Sequence, residues 1–399
     1  MKASILELLG TIGAGALVMG CGGSTDVHSL GNLPDAGGAT STGSNTTASS
    51  GGAGGGSGPN TSGGTGGSGE NTGIAGLPDC ATLPDQPCRL VEGHDIRALA
   101  TDGTRLYWIE YGTEDDLGNS RYDGRIMAQD LVGGATEPVV EDLGDPVGLA
   151  LSESYFYVHA ERWLHESGGE TTALVRLPRA GGAAELIQDD LSSRGPEGNG
   201  NCPYPCFAAT RDFSYFYHLG SIHRVSEEPG ATSSVLWAGA DPPFVCDPEN
   251  TVYANTQAHG LEQLPFEAEE AEPLREYVQS FQWDAGALYW VEVPNDSAYL
   301  VRWQRGEGPS ERVAELTRRG PNRTSLKVAQ GHYFVFLENW SEGEEVSMIV
   351  SGSLAEPERV TKRVELAYPF DGGSYFSQRW LGTPEAIYWI EDGAIVRAP

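Results

Sequence analysis

Short runs with alternating hydrophobic and polar positions recur along residues 96–399, and each run has aromatic residues at its centre. Alternation with a period of two predicts half-buried β-strands. The central aromatic residues are Tyr107, Tyr157, Tyr217, Tyr253, Tyr289, Phe334 and Tyr388. Their separations of 50, 60, 36, 36, 45 and 54 residues suit one four-stranded blade each. The pattern therefore predicts an all-β fold, a seven-bladed β-propeller.

The neighbours of each aromatic run are also repeated. About seven residues upstream lies a strand of small or apolar residues, such as Ala98–Ala100 or Phe207–Ala209. Downstream lies a third strand, such as Leu174–Leu177, followed by a turn and a more polar fourth strand. The last unit stops after its third strand, and an open sheet edge is a liability. We expect Cys88–Val91 to supply the missing strand and to close the ring.

Two alternatives to seven blades remain open at this stage. The uneven spacing around Tyr217 is compatible with six blades instead of seven. A β-sandwich, or a pair of small β domains, also produces many short alternating strands.

Three of the aromatic runs resemble the YWTD class of propeller repeat. These runs are Tyr107–Glu110, Tyr289–Glu292 and Tyr388–Glu391, in which Ile-Glu or Val-Glu stands where the family has Thr-Asp. The resemblance extends over most of residues 96–399, and propellers of this class usually have six blades. It implies a platform for binding or scaffolding, without shared catalytic residues.

The N-terminal residues have the pattern of an export signal. Lys2 precedes a mostly apolar stretch from Leu8 to Met19, which is short for a membrane span and typical of a signal peptide. The following Val18–Cys21 resembles the lipobox of bacterial lipoproteins, although Met19 is larger than the usual residue there. The resemblance implies a signal peptide over residues 1–20 and a lipid on Cys21. It also implies an envelope location, with the outer membrane favoured because Gly22 rather than Asp follows the cysteine.

Residues 22–78 have the composition of a flexible tether. Gly, Ser, Thr and Asn account for 40 of these 57 residues, and no apolar periodicity runs through them. Such a segment cannot bury enough surface to offset its ordering entropy. We therefore divide the chain into the signal peptide 1–20, the lipidated cysteine with its disordered Gly/Ser/Thr-rich tether 21–78, and the propeller 79–399.

The charge of the chain argues against one class of partner. The formal net charge is −31, and about −28 of it falls after residue 78. A surface of this sign repels the phosphates of nucleic acids, so we expect no nucleic-acid partner.

The cysteines after the anchor are candidates for disulfides, because export leads to an oxidising compartment. Cys80 and Cys88 are expected to pair with each other. Cys202, Cys206 and Cys246 form an odd set, in which either the close pair bonds or one member reaches Cys246. A redox or metal site is the other reading, but no histidine flanks the set.

No sequence motif indicates catalysis, a metal or a cofactor. The histidines form no HExxH pattern, and the chain contains neither a G-x-S-x-G elbow nor a phosphate-binding loop. The acidic run from Glu114 to Asp123 offers oxygen ligands for Ca²⁺ but lacks EF-hand spacing, so we expect a solvated loop. We predict no catalytic residue, no metal site and no cofactor.

Two functions follow from these observations. The first is a lipid-anchored envelope protein whose propeller binds or scaffolds an unknown protein or glycan. The alternative is an enzyme, a metal-dependent hydrolase or lyase with its site at the central channel. The second requires Asp, Glu, Asn or His side chains from several blades to converge, which sequence spacing cannot reveal.

Overall fold

The structure is a computed structural model of the 399-residue chain. The residues it describes are 80, 87–93, 95–114, 121–131, 133–164, 170–191, 207–276, 278, 280–294, 297–317, 321, 323–341, 344–366 and 379–399. Among these residues the secondary structure consists of β-strands without helices. Accordingly, the described part of the chain has no helix with the length and hydrophobicity needed to cross a membrane.

The strands follow one another along the chain with short intervals, most of them as antiparallel hairpins. In chain order they are β1 (Cys88–Glu92), β2 (Ile96–Thr101), β3 (Arg105–Glu110), β4 (Arg125–Asp130), β5 (Glu137–Val140), β6 (Asp145–Leu151), β7 (Tyr155–Leu164), β8 (Glu170–Pro178), β9 (Glu185–Asp189), β10 (Phe207–Ala209), β11 (Phe213–His218), β12 (Ser221–Ser226), β13 (Ser234–Ala238) and β14 (Ala240–Cys246). They continue with β15 (Val252–Thr256), β16 (Gly260–Leu264), β17 (Glu272–Arg275), β18 (Phe281–Asp284), β19 (Ala287–Glu292), β20 (Ala298–Gln304), β21 (Glu311–Thr317), β22 (Arg323–Ala329), β23 (His332–Ser341), β24 (Glu344–Ser353), β25 (Val360–Leu366), β26 (Trp380–Gly382), β27 (Ile387–Glu391) and β28 (Ala394–Ala398).

These strands form seven four-stranded antiparallel sheets, which are the blades of a propeller. Blade 1 is β2–β5, blade 2 is β6–β9, and the series continues to blade 6, which is β22–β25. The first strands of consecutive blades contact one another around a closed ring, from β2 through β6 and onward to β26. The prediction of seven blades is confirmed, and the alternatives of six blades and of a sandwich are wrong.

Blade 7 joins the two ends of the domain. Its order is β26, β27, β28 and then β1, so the first strand of the chain is the outermost strand of the last blade. Cys88 pairs with Arg397, and Glu92 pairs with Ala394. The expectation that Cys88–Val91 closes the ring is confirmed. Because this closure pairs the edge of β28, blade 7 is completed like the others.

Alternation along the strands places apolar side chains on both faces of each blade, where they pack against the neighbouring blades. The predicted central aromatic residues all lie on the second strands, and Tyr157, Tyr253 and Tyr388 are at most 1% exposed. The first strands hold small residues where a neighbour approaches closely. A Cβ at Gly382 would collide with the ring of Phe334 on the preceding blade, so glycine is required there.

Candidate functional site

The connections between strands differ in length between the two faces of the ring. One face of the ring carries the connections between the second and third strands and the connections between blades, and we call it the loop face. We call the opposite face the turn face. Between the described strands, connections at the turn face span at most seven residues, as in 227–233 and 265–271. The three longest connections, 111–124, 190–206 and 367–379, all belong to the loop face. Long connections that are concentrated at one face of a repeat protein often mark its binding face.

Two hairpins are also extended at the loop face. Strands β7, β23 and β24 are 10 residues long and β8 is 9, whereas the corresponding strands of blade 1 have 6. The ladder of blade 2 continues to the pair Leu164–Glu170, and that of blade 6 to Ser341–Glu344. Blades 2 and 6 therefore project at the loop face beyond the level of blade 1.

The base of connection 111–124 is held tightly against the start of β6. The Gly124 N–H donates to the Gly144 carbonyl at 3.1 Å, and the Leu143 N–H donates to the Gly124 carbonyl at 2.9 Å. A Cβ at Gly112 would collide with the carboxylate of Asp145 and would lie 3.0 Å from the Gly144 carbonyl oxygen. These glycines permit a close approach of backbones that a larger residue would prevent.

Asp145, the first residue of β6, is completely buried and forms an ion pair with Arg162 of the extended β7. The Arg162 Nε lies 2.5 Å from the Asp145 Oδ2. The same guanidinium donates to the Tyr111 hydroxyl at 3.4 Å and lies 3.4 Å from the Glu114 carboxylate. Burial raises the pKa of Tyr111 above its ordinary value. This cluster ties the connection of blade 1 to the projecting hairpin of blade 2.

Sequence reasoning missed this cluster. Asp145 and Arg162 are 17 positions apart on different strands, and no spacing rule connects them. The one available signal was the pair of glycines around the acidic run, Gly112 and Gly124. Paired glycines flanking a loop indicate close backbone contacts, but they do not identify the partner.

The second strands of blades 1 and 7 end at the loop face in buried or half-buried glutamates. In blade 1 the Trp108 indole N–H donates to Glu110 at 3.2 Å, and in blade 7 the Trp389 indole N–H donates to Glu391 at 2.7 Å. Glu110 also accepts from Arg125 Nε at 2.7 Å. Burial raises the pKa of Glu391. The Glu in these YWTD-like runs therefore serves as acceptor for the tryptophan two residues before it.

The acidic run from Glu114 to Asp123, which offers oxygen ligands but was expected to be a solvated loop, is engaged in protein contacts where the structure describes it. Glu114 lies beside Arg162, and both oxygens of Asp123 accept from Thr113, at 2.6 Å from the backbone N–H and 2.7 Å from the hydroxyl. Residues 115–120 lie outside the described residues. In the described ranges, no three His, Cys, Asp or Glu side chains are grouped so as to hold a metal ion.

The cysteines divide into three cases. Cys80 and Cys88 form a disulfide with their Cα atoms 4.8 Å apart, as expected. Cys246, on the first strand of blade 4, is a buried free thiol, and burial raises its pKa. Cys202 and Cys206 lie outside the described residues, and so does the lipidation candidate Cys21.

Two histidines on the second strands of their blades are buried. His159, on β7, is fully buried, and burial lowers its pKa to about 3. His218 is 6% exposed, and its ring lies edge-on to His223, which stacks on Phe216. A neutral imidazole in such surroundings is a packing element.

The fold and these sites define the described part of the chain as a seven-bladed β-propeller with an elaborated loop face. No protein-family model matches the chain, and none of the curated proteins is similar to it in sequence. Solved structures with some likeness include the nidogen/laminin complex, at 12% identity over 67% of this chain and 92% of that one, with a TM-score of 0.37. TolB from Acinetobacter baumannii has 10% identity, 67% and 65% coverage and a TM-score of 0.41. AztD from Citrobacter koseri has 11% identity over 68% of this chain and 86% of that one, with a TM-score of 0.40. Likeness at this level does not bear on function.

Proposed function

We propose that this chain is a lipid-anchored protein of the bacterial cell envelope whose propeller binds or scaffolds a protein or a glycan through its loop face. The observation that carries the proposal is the asymmetry of the connections. The three longest connections join strand ends at the loop face, where both hairpins are also extended, while the turn face has short turns between the described strands. Binding residues are concentrated on loops that a rigid scaffold positions.

A protein is the partner that the exposed side chains favour. Leu219 lies at the tip of the β11–β12 hairpin on the loop face and is 71% exposed. Its φ of 49° is in the left-handed region, which is unfavourable for a leucine. Neither exposure nor strain benefits folding, and both are consistent with a contact made to another macromolecule.

Site-specific photo-crosslinking in cells tests the use of the loop face. A diazirine-bearing amino acid replaces the exposed Glu141 or Glu161 at the loop face, and Glu153 or Asp212 at the turn face serves as the matched control. We expect crosslinked products from the loop-face positions alone. Peptides of a second protein in the digested product, identified by mass spectrometry, indicate a protein, and loss of the added mass on treatment with a glycan hydrolase indicates a glycan. Equal products from both faces, or none from either, would contradict the proposal.

The anchor rests on the sequence pattern around Cys21, and it has its own test. We expect the Cys21→Ser variant to leave the membrane fraction and to lose incorporation of labelled palmitate, because only a thiol accepts the diacylglycerol. Density separation of the two membranes tests the outer-membrane assignment. Unchanged fractionation of the variant would contradict lipid anchoring while leaving the role of the loop face open.

The alternative of a metal-dependent hydrolase or lyase at the channel stays a prediction from the sequence.

A further inference from the structure

A cleft of about 280 Å³ lies between blades 4 and 5, away from the loop-face cluster. We call it the interblade cleft. It is bordered by the outermost strand of blade 4, β17, and by the turn between β20 and β21. Its lining is mainly aliphatic and aromatic, and it consists of Leu261, Leu274, Arg275, Leu288, Trp290, Trp303, Gly308, Pro309 and Ser310. Apolar lining with a few polar groups is typical of ligand pockets.

Trp290 brings a buried hydrogen-bond donor to the lining of this cleft. It is 2% exposed, and its indole N–H has no hydrogen-bond partner among the described residues. Buried indole N–H groups normally find an acceptor. In blades 1 and 7 that acceptor is the glutamate two positions later, and Glu292 is the corresponding residue here.

Glu292 is drawn away from Trp290 by two arginines. One carboxylate oxygen pairs with Arg275 and the other accepts from Arg312 Nε at 3.1 Å. Arg275 also donates to the Ser310 hydroxyl at 3.0 Å, and its guanidinium lies 5.2 Å from the centre of the Trp290 ring. Blade 5 therefore keeps the Trp-x-Glu run and leaves its indole donor without the partner that blades 1 and 7 provide.

The shape and lining of the cleft indicate the kind of group that fits. Pockets for drug-sized ligands begin at about 300 Å³, so this volume suits one large side chain with part of its main chain. Arg275 covers the Trp290 ring, which leaves that ring unavailable for stacking against a sugar. Three leucines and Pro309 favour an apolar or aromatic group instead.

The rim of the cleft indicates the charge of the partner. Exposed glutamates flank the lining residues along the chain: Glu272 and Glu276 on either side of Leu274 and Arg275, and Glu307 and Glu311 on either side of Gly308–Ser310. Arg302 is paired with Glu311, and Arg275 and Arg312 share Glu292, so the glutamates at the rim and in these pairs outnumber the arginines. The rim is therefore negative, and it attracts a segment that carries Lys or Arg.

We propose that the interblade cleft binds an aromatic side chain of a partner protein, presented on a basic segment. The aromatic ring lies against Leu274, Trp303 and Pro309, which are the apolar lining residues with exposed surface. The flanking cations lie against the glutamate rim, and a carbonyl or phenolic oxygen of the segment supplies the acceptor that Trp290 lacks. This site lies between blades 4 and 5, whereas the crosslinking positions at the loop face, Glu141 and Glu161, lie at blades 1 and 2, so either proposal can fail without the other.

Fluorescence anisotropy with the full chain tests the cleft directly. The probe is a fluorescein-labelled heptapeptide with a central Phe and three Lys or Arg residues on each side. Replacing the Phe by Ala is expected to weaken binding about tenfold or more, because one buried aromatic anchor dominates such contacts. Replacing the basic flanks by Glu is expected to abolish binding. Equal affinity of the Phe and Ala peptides would overturn the proposal, since it would show attraction by charge alone.

Two variants and a control assign the binding to the cleft. Leu274→Glu places a charge in the lining, and Ser310→Phe fills the cleft while keeping it apolar. Both are expected to weaken binding of the Phe peptide about tenfold. Leu186→Glu changes an exposed leucine on the outer strand of blade 2 and should bind as the parent does. The thermal unfolding of each variant checks that it is folded. Parent-like binding by a folded Ser310→Phe variant would place the peptide elsewhere and refute the assignment.

Discussion

The indole N–H of Trp389 donates a hydrogen bond of 2.7 Å to the carboxylate of Glu391, two residues further along the same strand. Trp389 is 4% exposed, so its N–H has little access to water. The same relationship joins Trp108 to Glu110, and its absence at Trp290 is what marks the cleft between blades 4 and 5.

Replacing Glu391 by leucine, which removes the hydrogen-bond acceptor, should destabilise the propeller more than replacing it by glutamine, which removes only the charge. In Glu391→Leu a buried donor is left unpaired, which costs about 1–3 kcal/mol of the free energy of unfolding. Glu391→Gln retains a carbonyl oxygen, and we expect a loss of less than about 1 kcal/mol. Urea unfolding followed by circular dichroism measures both. Equal losses in the two variants would show that the hydrogen bond is unimportant.

His159 should make the domain sensitive to acid. Burial lowers its pKa from 6.5 to about 3, so the folded state holds the ring neutral while the unfolded chain takes up a proton. The stabilising difference is fully present above the unfolded pKa. It is lost as the pH falls from about 6.5 towards 3, at up to about 1.4 kcal/mol per pH unit.

The comparison of pH 7 with pH 5 isolates the contribution of His159. We expect His159→Gln to lose less stability than the parent between these two values in urea unfolding. His259→Gln, which changes an exposed histidine, serves as the control. An identical loss in the parent and in His159→Gln would contradict the assignment.

The buried pair of Asp145 and Arg162 should show strong coupling. Arg162→Leu leaves a fully buried carboxylate without its cation, and we expect a cost of about 3 kcal/mol. Adding Asp145→Asn removes the buried charge and should restore part of the loss. A double-mutant cycle in urea measures the coupling free energy. Additive effects of the two substitutions would show that the pair does not act as a unit.

Leu219→Asn should stabilise the fold. Residues Leu219 and Gly220 form a two-residue hairpin with φ values of 49° and 76°, and Asn-Gly is the preferred pair for such a turn. We expect a gain of about 0.5–1 kcal/mol in the free energy of unfolding. If Leu219 contacts a partner, the same variant should give weaker crosslinking from Glu161. A loss of stability would mean that the leucine supports the turn in some other way.

Reduction of the Cys80–Cys88 disulfide should loosen the strand that closes blade 7. A loop of this length stabilises the folded state by roughly 2–3 kcal/mol through the entropy of the unfolded chain. Thermal unfolding with and without dithiothreitol measures the effect. The Cys80→Ser variant already lacks the disulfide. Any change that dithiothreitol still causes in its melting temperature therefore comes from other cysteines. If dithiothreitol lowers the melting temperature of the parent no more than that of Cys80→Ser, the disulfide does not contribute to stability.

Strand positions were predictable from the sequence because burial between two neighbouring blades imposes a local pattern. Each second strand carries at least one aromatic residue within an apolar run, and most first strands carry small residues. The closing strand at Cys88 was also predictable, since a missing fourth strand at the C-terminus must be supplied from elsewhere. The blade count was harder, because insertions such as 190–206 change the spacing without changing the blade.

The sequence by itself determined the propeller, the Trp-x-Glu runs and the Cys80–Cys88 pair, because each depends on residues close together in the chain or on a repeating pattern. Only the tertiary structure decided that Arg162 meets Asp145, that Glu292 turns to Arg275 rather than to Trp290, and that a cleft opens between blades 4 and 5. These contacts join different strands or blades, and their formation depends on distances in space that no sequence separation encodes.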